Sequence, residues 1–321
     1  MDEPVVDVVV APDQALADDV ADLMERIVHR RGPDGLSDDR RRALARTVGH
    51  GGRGFLAVEA RDPVDGRLVG YAQIDRVDDL HDPAVEVVTE QPDRDGPTPG
   101  GRLADLLLDE ALRAFRSGGG GRLRLWVTHA TVEDDRRLAR RGFGVERDLV
   151  QMRCRLPLPA SAPAGGTAVA TRPFRVGVDE EAWLVANNRA FAGHPEQGDW
   201  DLATLREREA EPWFDPDGFL VLDVDGRLAG SCWTKVHRDE RPPVGEIYVI
   251  GVDPAFHGRG WGRALTHAGL DHLASIGLTA AMLYVDAANV AAATMYRSMG
   301  FVTDHVDRSY LATVAGPHAP T

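Results

Sequence analysis

The sequence predicts an α/β protein built from two tandem copies of one domain, each a mixed, mostly antiparallel sheet flanked by helices. Two observations predict this. First, three anchors recur in the same order at a nearly constant distance. Asp65-Gly66-Arg67-Leu68-Val69-Gly70 returns 160 residues later as Asp225-Gly226-Arg227-Leu228-Ala229-Gly230. Trp126-Val127 returns as Tyr284-Val285, and Arg141-Gly142-Phe143 as Met299-Gly300-Phe301, both 158 residues later. Second, hairpin signals are interleaved with helical patterns, which excludes a doubly wound dinucleotide-binding sheet. A chain of 321 residues has room for two such domains.

In the first copy, apolar spacing predicts helices around Ala15–Arg30 and Asp38–Val48, a hairpin over 54–75, and a helix around Leu103–Arg116. A strand, a helix and a strand follow. The stretch Leu156–Gly166 is rich in Pro, Ala and Gly and reads as a linker, giving domains 1–155 and 167–321 around a linker at 156–166. In the second copy a short strand is expected near Ala168–Pro173, then a helix over Asp179–Phe191 capped by Asp179, and a helix over Leu202–Ala210. Phe219–Val224 and Leu228–Val236 flank an Asp225-Gly226 turn as a hairpin. The strand Gly245–Val252 leads into a glycine-rich loop and a helix over Gly262–Ile276. Thr279–Val285 reads as a strand and Asn289–Met299 as a helix ended by Gly300, which supplies a positive φ. Strands near Val302–Val306 and Ser309–Leu311 close the chain.

Composition narrows the function classes. The net charge of −14 argues against a nucleic-acid partner, which calls for a basic face. No apolar run approaches 18 residues, so no transmembrane helix is expected. The acidic start Met1-Asp2-Glu3-Pro4 lacks the basic region of a signal peptide, so a cytoplasmic monomer is the expectation. Cys154 and Cys232 stand far apart in strand-like segments and read as buried free thiols. His194, His237 and His257 do not form a metal-ligand spacing and read as solvated or packed, so no metal is expected. Lys235 is the only lysine among 37 basic Lys and Arg residues, a mild sign that it is retained for a purpose.

The most informative segment is His257-Gly258-Arg259-Gly260-Trp261-Gly262-Arg263, placed between a strand and an amphipathic helix. Three glycines let successive backbone N–H groups approach one anion without Cβ obstruction, and the helix adds its positive end. This loop carries neither a Gly-Lys-Ser/Thr nor a G-x-G-x-x-G pattern. The loop is a candidate pyrophosphate cradle.

This Gly-x-Gly loop after a strand resembles motif A of the GCN5-related N-acetyltransferase family, with His257 where Gln or Arg is usual. Asn289, Ala291–Ala293, Tyr296 and Gly300-Phe301 resemble its motif B. The resemblance implies acetyl-CoA as co-substrate, with pyrophosphate on His257, Gly258, Arg259, Gly260, Trp261, Gly262 and Arg263. It implies a splayed edge strand whose Ile250, Gly251 and Val252 backbone bonds the pantetheine arm, and a flanking segment of Asn289, Val290, Ala291, Ala292, Ala293 and Thr294. Glu246 is then the expected general base, and Tyr296 the expected acid that protonates the leaving thiolate. The blocks Asn187–Trp200, Trp213–Gly218, Trp233–His237 and Gly245–Val249 are similar to the mycothiol synthase family, tandem-domain enzymes that acetylate the cysteinyl amine of Cys-GlcN-inositol. This closer resemblance covers most of 166–310 and is weak over 1–155. It implies that Glu196, Lys235, Glu246 and Tyr284 contact a small thiol-sugar acceptor, with one more acidic contact from the first copy at Asp38. That last role also fits Asp39, and Asp38 also fits a helix cap.

The first copy is expected to be non-catalytic. Tyr296 falls on Leu138 and Asn289 on Thr131, and its loop Gly96–Arg102 holds two prolines, which lack N–H donors. Glu86 falls on Glu246 at a distance of 160, but anchoring on Pro92 and Pro254 shifts the register by two, leaving that match open. Two other functions fit the pattern less fully. One is transfer to another amine, such as an aminoglycoside, polyamine or amino acid. The other is a non-catalytic acyl-CoA-binding module, against which the presence of both Glu246 and Tyr296 speaks.

Overall fold

A computed structural model describes residues 4–31, 36–48, 55–75, 82–90, 101–158, 169–194, 197–238 and 240–317. These residues form two compact units, one of Met1–Leu149 with His305–Thr321 and one of Val150–Asp304. The first contains β1 (Val5–Val9), α1 (Gln14–Arg31), α2 (Asp38–Thr47), β2 (Leu56–Arg61), β3 (Leu68–Asp75), β4 (Ala84–Thr89), α3 (Arg102–Ser117), β5 (Gly120–Val127) and α4 (Val132–Ala139). β6 (Gly144–Arg155) passes from the first unit into the second. There follow β7 (Thr171–Pro173), α5 (Glu180–Ala190), α6 (Leu202–Glu209), β8 (Phe219–Val224), β9 (Arg227–His237), β10 (Val244–Val252), α7 (Trp261–Ser275), β11 (Ala280–Asp286) and α8 (Val290–Ser298). β12 (Val302–Ala315) is one 14-residue strand where two short ones were expected.

Strand order in the first unit is β1-β2-β3-β4-β5-β12, and in the second β6-β11-β10-β9-β8-β7. In each unit a parallel pair, β4 with β5 or β10 with β11, interrupts antiparallel neighbours. The compact units do not follow the contiguous boundaries at 155 and 167. β12 pairs with β5 from Arg308↔Val127 to Ala315↔Gly120, so the C-terminus completes the first unit's sheet. Arg308 fixes that strand by bonding both Asp135 and Asp148. Of the linker, only 156–158 lie within the described residues.

Local sequence explains the elements that hold the site. α7 buries Leu265, Thr266, Gly269, Leu270 and Leu273, one face of a 3.6-residue repeat. It lies close on the sheet because Gly269 has no side chain: a Cβ there would stand 2.5 Å from Cys232 Sγ. The Asp225-Gly226 turn has φ of 50° and 75°, as a two-residue hairpin of the primed type requires. α5 starts one residue later than expected and Asp179 does not cap it by side chain. Its carboxylate instead takes the guanidinium groups of Arg172 and Arg175 and the Arg175 backbone N–H. These stronger charge-assisted partners outcompete the helix N–H groups. Cys154 and Cys232 are free and buried, and burial pushes both thiols up to about 12.

Candidate active site

The second unit's sheet carries two different cores on its faces. Cys232, Ile247, Leu265, Ala293 and Tyr296 belong to the cluster under α7 and α8. Trp233, Tyr248 and Val249 belong to an aromatic cluster under α5 and α6, with Trp183 and Trp200. Strand residues normally alternate between faces. In β10 they do not: the register shifts between Ile247↔Thr234 and Val249↔Trp233, leaving Tyr248 as an extra residue. This β-bulge puts Tyr248 and Val249 in the same aromatic cluster. The same point ends the parallel ladder to β11, whose described pairs run only from Gly245↔Ala281 to Ile247↔Leu283. β10 is therefore an internal strand and not the edge strand expected, but it parts from β11 after Ile247 while still paired to β9. Ile250, Gly251 and Val252 lie in that parted segment, with one side of their backbone turned from the β9 ladder.

Glu246 stands one residue before the end of the parallel ladder. It is opposite Lys235 and buried, with 8% of its surface exposed. Its Oε2 lies 2.8 Å from Nε2 of His237. Lys235 holds its Nζ 4.8 Å from the Trp213 ring centroid and 5.8 Å from that of Tyr248. Period-2 spacing puts Lys235 and His237 on one face of β9. A carboxylate, an imidazole and an ammonium thus share the α5–α6 face beside the bulge.

The glycine loop follows a short 3-10 turn, Pro254–Phe256. Gly258 and Gly260 have φ of 78° and 75°, a conformation that suits glycine. Gly260 is the N-cap of α7 and supplies no side-chain cap bond. The first-turn N–H groups therefore lack a side-chain acceptor and, with the helix dipole, suit an anion. Loop residues 257–260 are exposed. Gly262 already lies within the helix, and a Cβ there would meet nothing within 4 Å. Arg259 stacks over Phe256 and Trp261, and Arg263 donates to Ser298 Oγ. His257 Nε2 lies 2.8 Å from the Val252 carbonyl, so this unusual residue ties the loop to the end of β10. The loop fits a pyrophosphate through backbone groups.

Tyr296 is buried in the α7–α8 cluster, with its ring 5.7 Å from Phe301. Burial, with Cys232 nearby, raises its phenol well above the ordinary range, so it stays protonated at neutral pH. Tyr296 and Glu246 therefore belong to opposite faces of the sheet. Tyr284 is exposed, and its hydroxyl accepts a 2.7 Å bond from Gln151 Nε2. Asn289 caps α8 through the Ala292 N–H, which explains that residue without a ligand. Of the flanking segment 290–294, only Ala293 is buried and Ala292 half-buried. Glu196 lies outside the described residues. Asp38 is the first residue of α2, and the helix cap is Ser37, not Asp38; the side chains of Asp38 and Asp39 lie outside the description.

The first unit settles the open register against Glu86. β4 pairs with β5 as Ala84↔Arg124 and with β3 as Ala84↔Asp75, where β10 pairs with β11 as Glu246↔Met282 and with β9 as Glu246↔Lys235. Arg124 and Asp75 precede Met282 and Lys235 by the same distances as the sequence anchors, so Ala84 is the counterpart of Glu246, and Glu86 falls on Tyr248. Glu86 itself accepts from Ser37 N at 2.9 Å and Ser37 Oγ at 2.7 Å, with Arg40 Nε at 3.4 Å. Thr131 caps α4 where Asn289 caps α8, and Leu138 replaces Tyr296.

Comparison with known proteins follows this geometry. The model of the Acetyltransferase (GNAT) family matches residues 182–301. A mycothiol acetyltransferase from Streptomyces griseus is 42% identical over 94% of this chain and 93% of its own. Another from Thermobispora bispora is 45% identical over 80% and 79%. The chain belongs to the mycothiol acetyltransferase family. Its fold is that of tandem GNAT proteins. A tandem GNAT protein from the clavulanic acid biosynthesis pathway superposes with a TM-score of 0.64 at 17% identity, covering 99% of this chain and all of that one. A GCN5-related N-acetyltransferase from Sphaerobacter thermophilus gives 0.63 at 21%, covering 97% and 96%. As a mycothiol acetyltransferase family member the chain is an N-acetyltransferase with a small-molecule substrate. Among the described residues no helix is long and apolar enough to cross a membrane.

Sequence reasoning passed over three residues of this constellation. His237 was assigned to solvent or packing, although its two-residue spacing from Lys235 on the strand opposite Glu246 could have placed it at the carboxylate. Trp213 and Tyr248 bracket Lys235, but Trp213 lies in a loop distant in sequence and Tyr248 turns with a bulge. No periodicity reveals either.

Proposed function

We propose that this protein transfers the acetyl group of acetyl-CoA to the cysteinyl amine of Cys-GlcN-inositol, using the second unit. The observation that carries this is the buried Glu246 carboxylate beside Lys235 at the point where β10 parts from β11. Relatives named mycothiol acetyltransferase support the acceptor. Acetyl-CoA supplies the acetyl group as a thioester. The N–H groups of the 257–263 loop and α7 hold its pyrophosphate, and the Ile250–Val252 backbone holds the pantetheine arm. Asn289–Thr294 flanks it.

Glu246 takes a proton from the acceptor ammonium, freeing the nitrogen lone pair for C–N bond formation. Tyr296 gives its proton to sulfur as the C–S bond breaks, and the second proton that the nitrogen sheds as it becomes an amide restores the Tyr296 phenol by way of solvent. The two groups come from opposite faces of the sheet, and the gap between β10 and β11 is where both can reach one reacting centre. Lys235 and Tyr284 bind the hydroxyl-rich part of the acceptor. The first unit does not catalyse, because Ala84 stands where the second unit has Glu246 and Leu138 where it has Tyr296. Two buried free thiols suit a cytoplasmic setting.

The test is turnover with acetyl-CoA and a panel of Cys-GlcN-inositol, an aminoglycoside, a polyamine and an amino acid. Product mass is the readout, because the acceptor's own thiol interferes with thiol-release assays. Cys-GlcN-inositol is expected to exceed the others in kcat/KM by about 100-fold or more. Equal or better turnover of any other amine overturns the assignment.

A further inference from the structure

His237 is the last residue of β9, two beyond Lys235, and its side chain is largely covered. Its Nε2 faces Oε2 of Glu246 at 2.8 Å. An ionised carboxylate only accepts hydrogen bonds, so the facing ring nitrogen carries the hydrogen. This fixes the tautomer and makes the contact a charge-assisted bond, within the length range of such bonds. A carboxyl group turns about its last torsion in broad wells, so a buried one needs a partner to hold a single orientation.

We propose that His237 is a positioning residue for acetyl transfer: by holding Oε2 of Glu246, it leaves Oε1 as the oxygen presented to the acceptor amine. This rests on the reading of Glu246 as the base. Proton abstraction requires hydrogen-bond reach and alignment between base and donor, so a carboxylate free to turn spends part of its time misdirected. His237 stands at the end of β9 beside the start of β10, so it fixes the carboxylate without entering the acceptor's space on the Lys235 side. Two other roles are possible for this contact, and they differ in what they require. A brace for the β9–β10 hairpin would affect stability and leave kcat unchanged. A ring that carried the proton onward would need both nitrogens, and no amide could replace it. A positioning donor needs only one N–H at the place of Nε2, which a glutamine amide can supply and an alanine cannot.

The test uses the full chain and the amine that the wild type turns over best, with His237→Ala, His237→Asn and His237→Gln compared to wild type. The alanine variant is expected to lose roughly 10- to 100-fold in kcat with the acetyl-CoA KM within about twofold. The asparagine amide stands too short to reach Oε2, so that variant should fall with alanine and covers the case in which alanine fails to fold. The glutamine variant should recover kcat to within about fivefold of wild type. Wild-type kcat in the alanine or asparagine variant overturns the proposal, as does a glutamine variant as slow as alanine. Ratios are taken on one amine. A wild type that prefers an amine other than Cys-GlcN-inositol therefore counts against the acceptor and not against His237, whereas one that acetylates no amine overturns both.

Discussion

Lys235 is the ladder partner of Glu246, and its ammonium stands over the Trp213 ring at 4.8 Å. Tyr248, raised beside it by the bulge, gives a second ring at 5.8 Å. Electrostatic attraction to ring faces, about 0.5–2 kcal/mol for a covered pair, fixes where this charge sits. The single lysine is thus held next to the candidate base by aromatic groups.

Removing that charge should cost acceptor binding and not donor binding. Lys235→Ala is expected to raise the acceptor KM by about 10-fold or more, leaving the acetyl-CoA KM within about twofold. Trp213→Leu should move the acceptor KM the same way by less. Steady-state kinetics with each substrate varied in turn checks this, and a rise in the acetyl-CoA KM alone would contradict it.

Two glycines only two residues apart, one left-handed and one helical, should behave differently. Gly260 has φ of 75°, so Gly260→Ala strains the loop by about 1–2 kcal/mol and puts a methyl group in the cradle. Acetyl-CoA affinity should fall by about 10-fold or more. Gly262 is helical and its Cβ would meet nothing, so Gly262→Ala should leave affinity within about twofold and raise stability by up to about 1 kcal/mol. Calorimetric titration with CoA and thermal melts of both variants read these outcomes.

The exchanged strand makes a prediction about fragments. A chain of residues 1–155 lacks β12, which pairs with eight residues of β5 from Arg308↔Val127 to Ala315↔Gly120. The fragment should expose that edge and aggregate, or melt without a cooperative transition. A soluble fragment with a sharp melt would show that the first unit does not need the C-terminus.

Much of this architecture was legible in the sequence, and the misses have physical causes. The duplication, the helices and the Asp225-Gly226 turn follow from local patterns: apolar spacing, glycine and capping chemistry act over a few residues. The exchange of β12 does not, because its pairing with β5 joins residues 181 to 195 positions apart, from Arg308↔Val127 to Ala315↔Gly120, and leaves no local mark. Glu246 and the loop were found through motif spacing. The Lys235–Trp213–Tyr248 contact was hidden by a bulge, which breaks the period-2 rule at Tyr248. His237 falls in the same period as Lys235, but its contact with Glu246 joins two strands and carries no motif of its own. Asp179 was read as a helix cap because position favoured it, whereas Arg172 and Arg175 decide its role through the fold.

Asp179 also gives a pH dependence. Its burial alone would raise the carboxyl, but the Arg175 and Arg172 guanidiniums and the Arg175 N–H outweigh this and hold it well below the usual carboxylate range. A depressed folded value means that the stabilisation is complete above the ordinary aspartate value near 3.9 and fades as pH falls through and below about 4. Asp179→Asn should cost about 2 kcal/mol at pH 7. The gap between the urea midpoints of variant and wild type should begin to narrow below about pH 4 and shrink steadily as the solution is acidified further; a gap that stays constant with pH would contradict this account.

The central claim is that Glu246 takes the amine proton. Its most direct test is single-turnover amide formation from Cys-GlcN-inositol and acetyl-CoA by wild type and Glu246→Gln, followed by mass and by titration of the product's free thiol. The wild type should give an amide with its thiol intact, and the variant the same product roughly 100- to 10,000-fold more slowly with CoA affinity unchanged. Amide formation by Glu246→Gln at the wild-type rate across neutral pH would contradict it.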